Sequence, residues 1–98
     1  MESKHAVYMI RCKDGSLYTG YTNDLNARLQ KHADGKGAKY TRGRGPFTLE
    51  YCQTFASKTE AMQQEYQIKQ WPRVKKEEWI VLKNGGERDA YSKELYSS

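Results

Sequence analysis

The hydrophobic pattern divides the chain into short strand-like runs and longer helical ones. Residues 7–12 and 17–21 are apolar, aromatic and β-branched, and the turn pair Asp14-Gly15 separates them, which predicts a β-hairpin. With a three-residue loop Lys13-Asp14-Gly15, a type I turn with Gly15 left-handed, Cys12 opposes Ser16 and Tyr8 opposes Gly20. Tyr8 and Tyr18 then share a face; a two-residue loop would place them on opposite faces. Thr22-Asn23 are good N-cap residues, and Leu25 and Leu29 form the buried stripe of a helix that follows. Arg28 and His32 are four apart, so they leave that helix on one side.

Further on, residues 47–55 alternate, with Phe47, Leu49, Tyr51 and Phe55 to one side, and predict a third strand against the hairpin. Ser57 and Glu60 have capping-box spacing and open a helix to about Gln70, where Trp71-Pro72 ends it. Its inward stripe is Ala61, Met62 and Ile68, with Glu65 among them. A carboxylate in an apolar stripe is costly unless a cation meets it. Residues 74–82 predict another helix, with Trp79 and Leu82 covering the sheet, and Asn84-Gly85-Gly86 closing it. The expected organisation is one α/β (α+β) domain over residues 1–86, a three-stranded, mainly antiparallel sheet flanked by helices. A tail follows over residues 87–98, in which Tyr91, Leu95 and Tyr96 are spaced like a weak helix.

Composition narrows the function classes. The 98 residues are 37% hydrophobic and 30% charged, with a formal net charge of +5, which favours a polyanionic partner. No apolar run approaches the roughly 20 residues of a bilayer span and no charged-then-apolar leader opens the chain, so the expected location is cytoplasmic, without a membrane partner. Cys12 and Cys52 lie in predicted strands without metal-ligand spacing and are expected as reduced packing residues.

Between the first helix and the third strand, glycines and a proline break any period. There Lys36, Lys39, Arg42 and Arg44 outnumber Asp34 and are interleaved with Tyr40 and Thr41. Cations, exposed amides and a stackable ring suit docking of a phosphodiester chain; a solvated flexible loop has the same composition.

The hairpin and first helix resemble the core of the GIY-YIG nuclease family, in which two tyrosine motifs on adjacent strands precede a helix arginine. The first motif is Ala6-Val7-Tyr8, the second Tyr18-Thr19-Gly20, and the arginine Arg28. Ala6, Val7 and Thr19 depart from the pattern without removing a hydroxyl, a charge or the second glycine. The stretches KDGSLYTGYT and GKGAKYTRGRGP and the helix around Glu65 resemble the small stand-alone bacterial members, over roughly residues 5 to 82.

The resemblance implies hydrolysis of nucleic-acid phosphodiester bonds, DNA in preference to RNA, in repair or processing, with one Mg²⁺ or Mn²⁺ on Glu65. Arg28 would neutralise the phosphate, Tyr8 and Tyr18 would bracket the attacking water, and Tyr18 is favoured as the base with Tyr8 as the alternative. His32 would orient Tyr18, touch phosphate, or take the proton itself with a pKa near 6.5. Gly20, Lys36, Lys39, Tyr40, Thr41, Arg42 and Arg44 are the candidate nucleic-acid-binding residues. Taken singly, tyrosine is a common strand residue, Arg28 an ordinary surface charge, His32 a helix-end residue and Glu65 a salt-bridge partner of Arg28. Rival expectations are a binding module without turnover and a subunit whose protein partner supplies specificity.

Overall fold

The computed structural model describes residues 4–37 and 41–84. In chain order it contains β1 (His5–Arg11), β2 (Leu17–Thr22), α1 (Leu25–Ala33), β3 (Thr48–Phe55), α2 (Lys58–Lys69) and α3 (Arg73–Lys83). The strands form one antiparallel sheet in the order β2-β1-β3. The fold is therefore mixed α/β, a three-stranded antiparallel sheet with helices around it.

The β1/β2 turn sets the register. Gly15 has φ +90, and its N–H donates to the Cys12 carbonyl at 2.9 Å while Cys12 N–H donates to Ser16 O at 2.8 Å. A left-handed residue at this position is what a three-residue loop demands and what glycine tolerates. Tyr8 consequently pairs with Gly20 and Ile10 with Tyr18, placing both tyrosines on one face.

As the central strand, β1 is buried on both faces. Val7 and Met9 pack with Tyr51, Ala61, Ile68 and Ile80, under α2 and α3. Tyr8, Ile10 and Cys12 pack with Leu29 of α1 and with Phe47 on the other face.

Several expectations are corrected here. The register against β3 slips between Met9, opposite Tyr51, and Ile10, opposite Leu49, leaving Glu50 as the extra residue of a bulge. The slip turns Leu49 and Phe47 toward the α1 face and Tyr51 and Phe55 toward the α2 face, so they do not share one side. The N-cap of α1 is Asp24, whose side chain accepts from Ala27 N–H at 3.2 Å, while Thr22 Oγ1 accepts from Asp24 N–H at 3.0 Å. Met62 and Leu82 are 40% and 68% exposed, leaving Ala61, Ile68 and Ile80 as the fully buried helix residues there. Cys12 is buried, but Cys52 is exposed and does not pack. Ser57 does cap α2, accepting from Glu60 N–H at 3.2 Å. The tail residues Tyr91, Leu95 and Tyr96 lie outside the described residues.

Arg11, at the end of β1, ties the hairpin to α3. Its Nε donates to the Glu50 carboxylate at 2.8 Å, and its terminal nitrogens grip both oxygens of Glu77 at 2.7 and 3.0 Å. Arg73 joins Glu77 at 3.0 Å and reaches Gly15 O at 2.6 Å.

Candidate active site

The face of the sheet that carries Tyr8 and Tyr18 is covered by α1, whose 3.6-residue period delivers Arg28 and His32 to the two rings. Tyr8 is 0% exposed, and its hydroxyl lies 2.8 Å from His32 Nε2. Arg28 Nε donates to the same hydroxyl at 3.4 Å, and Arg28 also hydrogen-bonds the Tyr18 side chain. The three rings meet edgewise or tilted, with centroids 5.4 Å apart for Tyr18 and His32, 5.7 Å for Tyr8 and His32 and 6.3 Å for Tyr8 and Tyr18.

Gly20 lies directly against this group. A Cβ there would come within 2.5 Å of the Tyr8 hydroxyl and 2.9 Å of the Tyr18 ring, so the close approach of the rings to the strand requires glycine. Gly20 is itself buried beneath the rings it admits.

Electrostatics separates the members. Burial pushes the Tyr8 phenol up from 10 to about 12, against the opposing pull of the Arg28 hydrogen bond; the charges of Tyr18 and Glu65 add to the rise. His32 falls from 6.5 to about 4, because burial and then the Arg28 charge disfavour imidazolium. Its imidazole is therefore neutral at pH 7. At 1% exposure it is also closed to direct phosphate contact. Arg28 is raised further by its bonds to the phenols. Among the described residues no carboxylate pairs with Arg28, so the N–H groups not engaged by the phenols carry a positive charge that no acid neutralises.

The basic loop divides into separate parts. Thr41, expected in the phosphate-binding set, turns inward: it is 1% exposed, with Oγ1 2.9 Å from His32 Nδ1. Arg44 pairs with Asp14 at 2.7 Å, binding the loop to the hairpin turn. Lys36 and Arg42 are exposed, while Lys39 and Tyr40 lie outside the described residues. Thr41, Phe47 and Gly37 together enclose the His32 ring. Phe47 meets the His32 ring edgewise at 5.9 Å, and Gly37 lies so close to that ring that a Cβ would collide with it. No local pattern marks these contacts; only the unusual run of small residues after α1 hints that the loop folds back against something.

Glu65 on α2 has a side chain only 13% exposed and pairs with Lys69 at 3.1 Å, not with Arg28. Among the described residues no three His, Cys, Asp or Glu side chains converge as a metal cage. A single carboxylate suits a hard cation that keeps most of its waters, as Mg²⁺ does, and does not suit a multi-ligand zinc site. Asn84 donates to Glu50 O at 3.3 Å and so ties the end of α3 to β3.

Residues 4–78 match the model of the GIY-YIG catalytic domain. The chain belongs to the GIY-YIG family. Relatives similar to this GIY-YIG chain are small proteins named only as UPF0213. One from Oceanobacillus iheyensis is 63% identical over 76 residues, covering 78% of this chain and 88% of its own length. UPF0213 protein YazA of Bacillus subtilis is 47% identical, with 93% of this chain and 92% of YazA covered. The solution NMR structure of a UPF0213 protein from Bacillus halodurans superposes with a TM-score of 0.59 at 52% identity, covering 96% of this chain and 98% of that one. A solution NMR structure from E. faecalis gives a TM-score of 0.60 at 33% identity, with coverage of 91% and 94%. GIY-YIG membership points to a nuclease-type hydrolase and implies a nucleic-acid substrate. Among the described residues no helix is long and apolar enough to cross a membrane.

Proposed function

We propose that this chain is a metal-dependent endonuclease that hydrolyses phosphodiester bonds, in DNA rather than RNA, during repair or processing of damaged or branched DNA. The observation that carries this reading is Arg28, a cation held between two phenols at the sheet surface with no carboxylate against it among the described residues. A phosphoryl centre gathers negative charge in its transition state, and a preplaced guanidinium is suited to meet it.

Tyr18 is the base. It is only half-buried, whereas Tyr8 is fully enclosed, raised to about 12 and committed to His32. Acting as phenolate beside the Arg28 guanidinium, Tyr18 takes a proton from the attacking water as the new P–O bond forms. The departing oxygen collects its proton from solvent. Tyr8, His32 and Thr41 form a row of hydrogen bonds that fixes Arg28 and the α1 helix against the strand. In that row neutral His32 donates from one ring nitrogen and accepts at the other.

Glu65 would hold the Mg²⁺ or Mn²⁺, which would supply Lewis-acid stabilisation of phosphate charge. Exposed Lys36 and Arg42 form the basic approach for the strand, and Lys39 and Tyr40 add a cation and a ring to the same loop in sequence.

The test is cleavage of labelled single-stranded, duplex and branched DNA with Mg²⁺ or Mn²⁺, comparing wild type with Glu65→Ala. Metal-dependent cutting that disappears in the variant is expected. Binding without cutting by wild type, unaffected by chelation, would replace the enzyme by a binding module.

A further inference from the structure

Next to Arg28, a groove of about 410 Å³ opens across the end of edge strand β2, between α1 and the start of α2. Tyr8, Tyr18, His32 and Glu65 are not among its lining residues. Arg28 forms one end; Lys31, one helical turn further along α1, and Lys58, the first residue of α2, contribute two more cations from separate elements. Among the described residues the acid in the lining is Asp24, and its carboxylate accepts from Ala27 N–H as the α1 N-cap.

The floor has a different character. His5 and Tyr21 lie nearly parallel, with an interplanar angle of 12° and centroids 6.2 Å apart. His5 Nδ1 is 3.0 Å from the Tyr21 hydroxyl, so the phenol is held in place. Both residues are half-buried, braced from below while still bordering the groove.

We propose that this groove is a subsite for the nucleotide adjoining the scissile bond. Its base stacks on the His5–Tyr21 pair, and the phosphate beyond it sits between Lys31 and Lys58. The inference rests on the nuclease reading and extends it by giving the strand a direction of travel: from Arg28 around the β2 edge toward α2. Aromatic surface interleaved with cations on a track continuous with the reacting phosphate is the combination that holds single-stranded nucleic acid without reading its sequence. A groove of this size lies within the range of sites for small ligands, about 300–1,000 Å³.

The experiment titrates fluorescein-labelled single-stranded DNA with the full chain in EDTA, at several salt concentrations, and repeats cleavage with Mg²⁺. The variants are Lys31→Ala/Lys58→Ala, Tyr21→Leu, and the control Lys83→Ala on α3, whose amine lies over the Trp79 ring. Loss of a phosphate contact shrinks the slope of log affinity against log salt by roughly 0.7 for single strands. The double lysine variant is expected to show a shallower slope, roughly tenfold weaker binding, and a raised KM at unchanged kcat. Tyr21→Leu is expected to weaken binding roughly fivefold or more with the salt slope preserved, since a stacked base contributes about 1–3 kcal/mol. Lys83→Ala is expected to match wild type. If wild type binds and cuts while the double lysine variant behaves like Lys83→Ala, the subsite is overturned and the nuclease reading stands. If wild type neither binds nor cuts nucleic acid, both are overturned.

Discussion

Arg11 and Arg28 sit at the margins of the same small sheet, and their surroundings differ in one decisive respect. Arg11 is met by two carboxylates, Glu50 at 2.8 Å and Glu77 at 2.7 Å, and its charge is spent within the fold. Arg28 is met by the two phenols, Tyr8 and Tyr18, which orient it without cancelling it. A neutralised guanidinium is an anchor; an oriented and unneutralised one can receive an anion. Either arginine, read from sequence, is one more cation in a basic chain, and only their partners tell the roles apart.

Breaking the anchor should produce the largest change in stability. Arg11→Ala removes the cation from Glu50, whose side chain is 1% exposed. Loss of one partner of a buried ion pair typically costs about 3–5 kcal/mol, so thermal melting should fall sharply. Residual folded protein, assayed below its melting transition, should still cut.

The phenols should divide in the same way. Tyr18→Phe is expected to lower the single-turnover cleavage rate roughly 10²-fold or more with melting nearly unchanged, as loss of a positioned base does. Tyr8→Phe leaves His32 Nε2 without its partner inside the core and should cost about 1–3 kcal/mol of stability. Equal losses of rate with no loss of stability in either variant would erase the distinction between them.

A smaller effect is expected where the two rings meet the strand. Gly20→Ala puts a methyl 2.5 Å from the Tyr8 hydroxyl, and overpacking of this kind costs about 1–3 kcal/mol. Chemical denaturation measures it, and the displaced rings should slow cleavage as well.

The two regions should also separate on a pH axis. Below 6.5 the unfolded chain protonates His32 while the folded chain resists down to about 4, so stability falls as pH drops through that window and then levels. The Arg11 and Arg73 contacts hold Glu77 down at about 2 from 4.5, so the stability it contributes is present above 4.5 and is lost as pH falls toward 2. Tyr8 acts at the other extreme, with stability lost between 10 and about 12 as the unfolded phenol ionises first. Urea melts across pH, with His32→Gln and Glu77→Gln each removing one acid window, check the assignment. The cleavage rate should show no break near 6.5; an inflection there would return His32 to the role of proton acceptor.

How much of this was legible in the sequence depends on whether its cause is local. Asp14-Gly15 specifies a turn, the turn sets the β1/β2 register, and the register puts Tyr8 and Tyr18 on one face; each step spans a few residues. The spacing of Arg28 and His32 on α1 is equally local. Thr22 and Asn23 have the composition of a cap, but side-chain geometry gives the start of α1 to Asp24. The bulge at Glu50 was hidden because an alternating pattern continues through it while its two halves face opposite sides of the sheet. Thr41 looked like part of a basic surface loop, and only its contact with His32, nine residues away, turns it inward. The Arg11–Glu77 pair joins residues 66 apart, and no periodicity reaches that far.

The most direct measurement is the single-turnover cleavage rate of Arg28→Gln on labelled DNA with Mg²⁺, taken together with its melting curve. The result we expect is a rate reduced by roughly 10³-fold, in the range seen when a transition-state charge donor is removed, with melting within a few degrees of wild type. A variant that melts like wild type and cuts at the wild-type rate would contradict the assignment of Arg28 as the phosphate clamp, and the active site would have to be sought elsewhere on the domain.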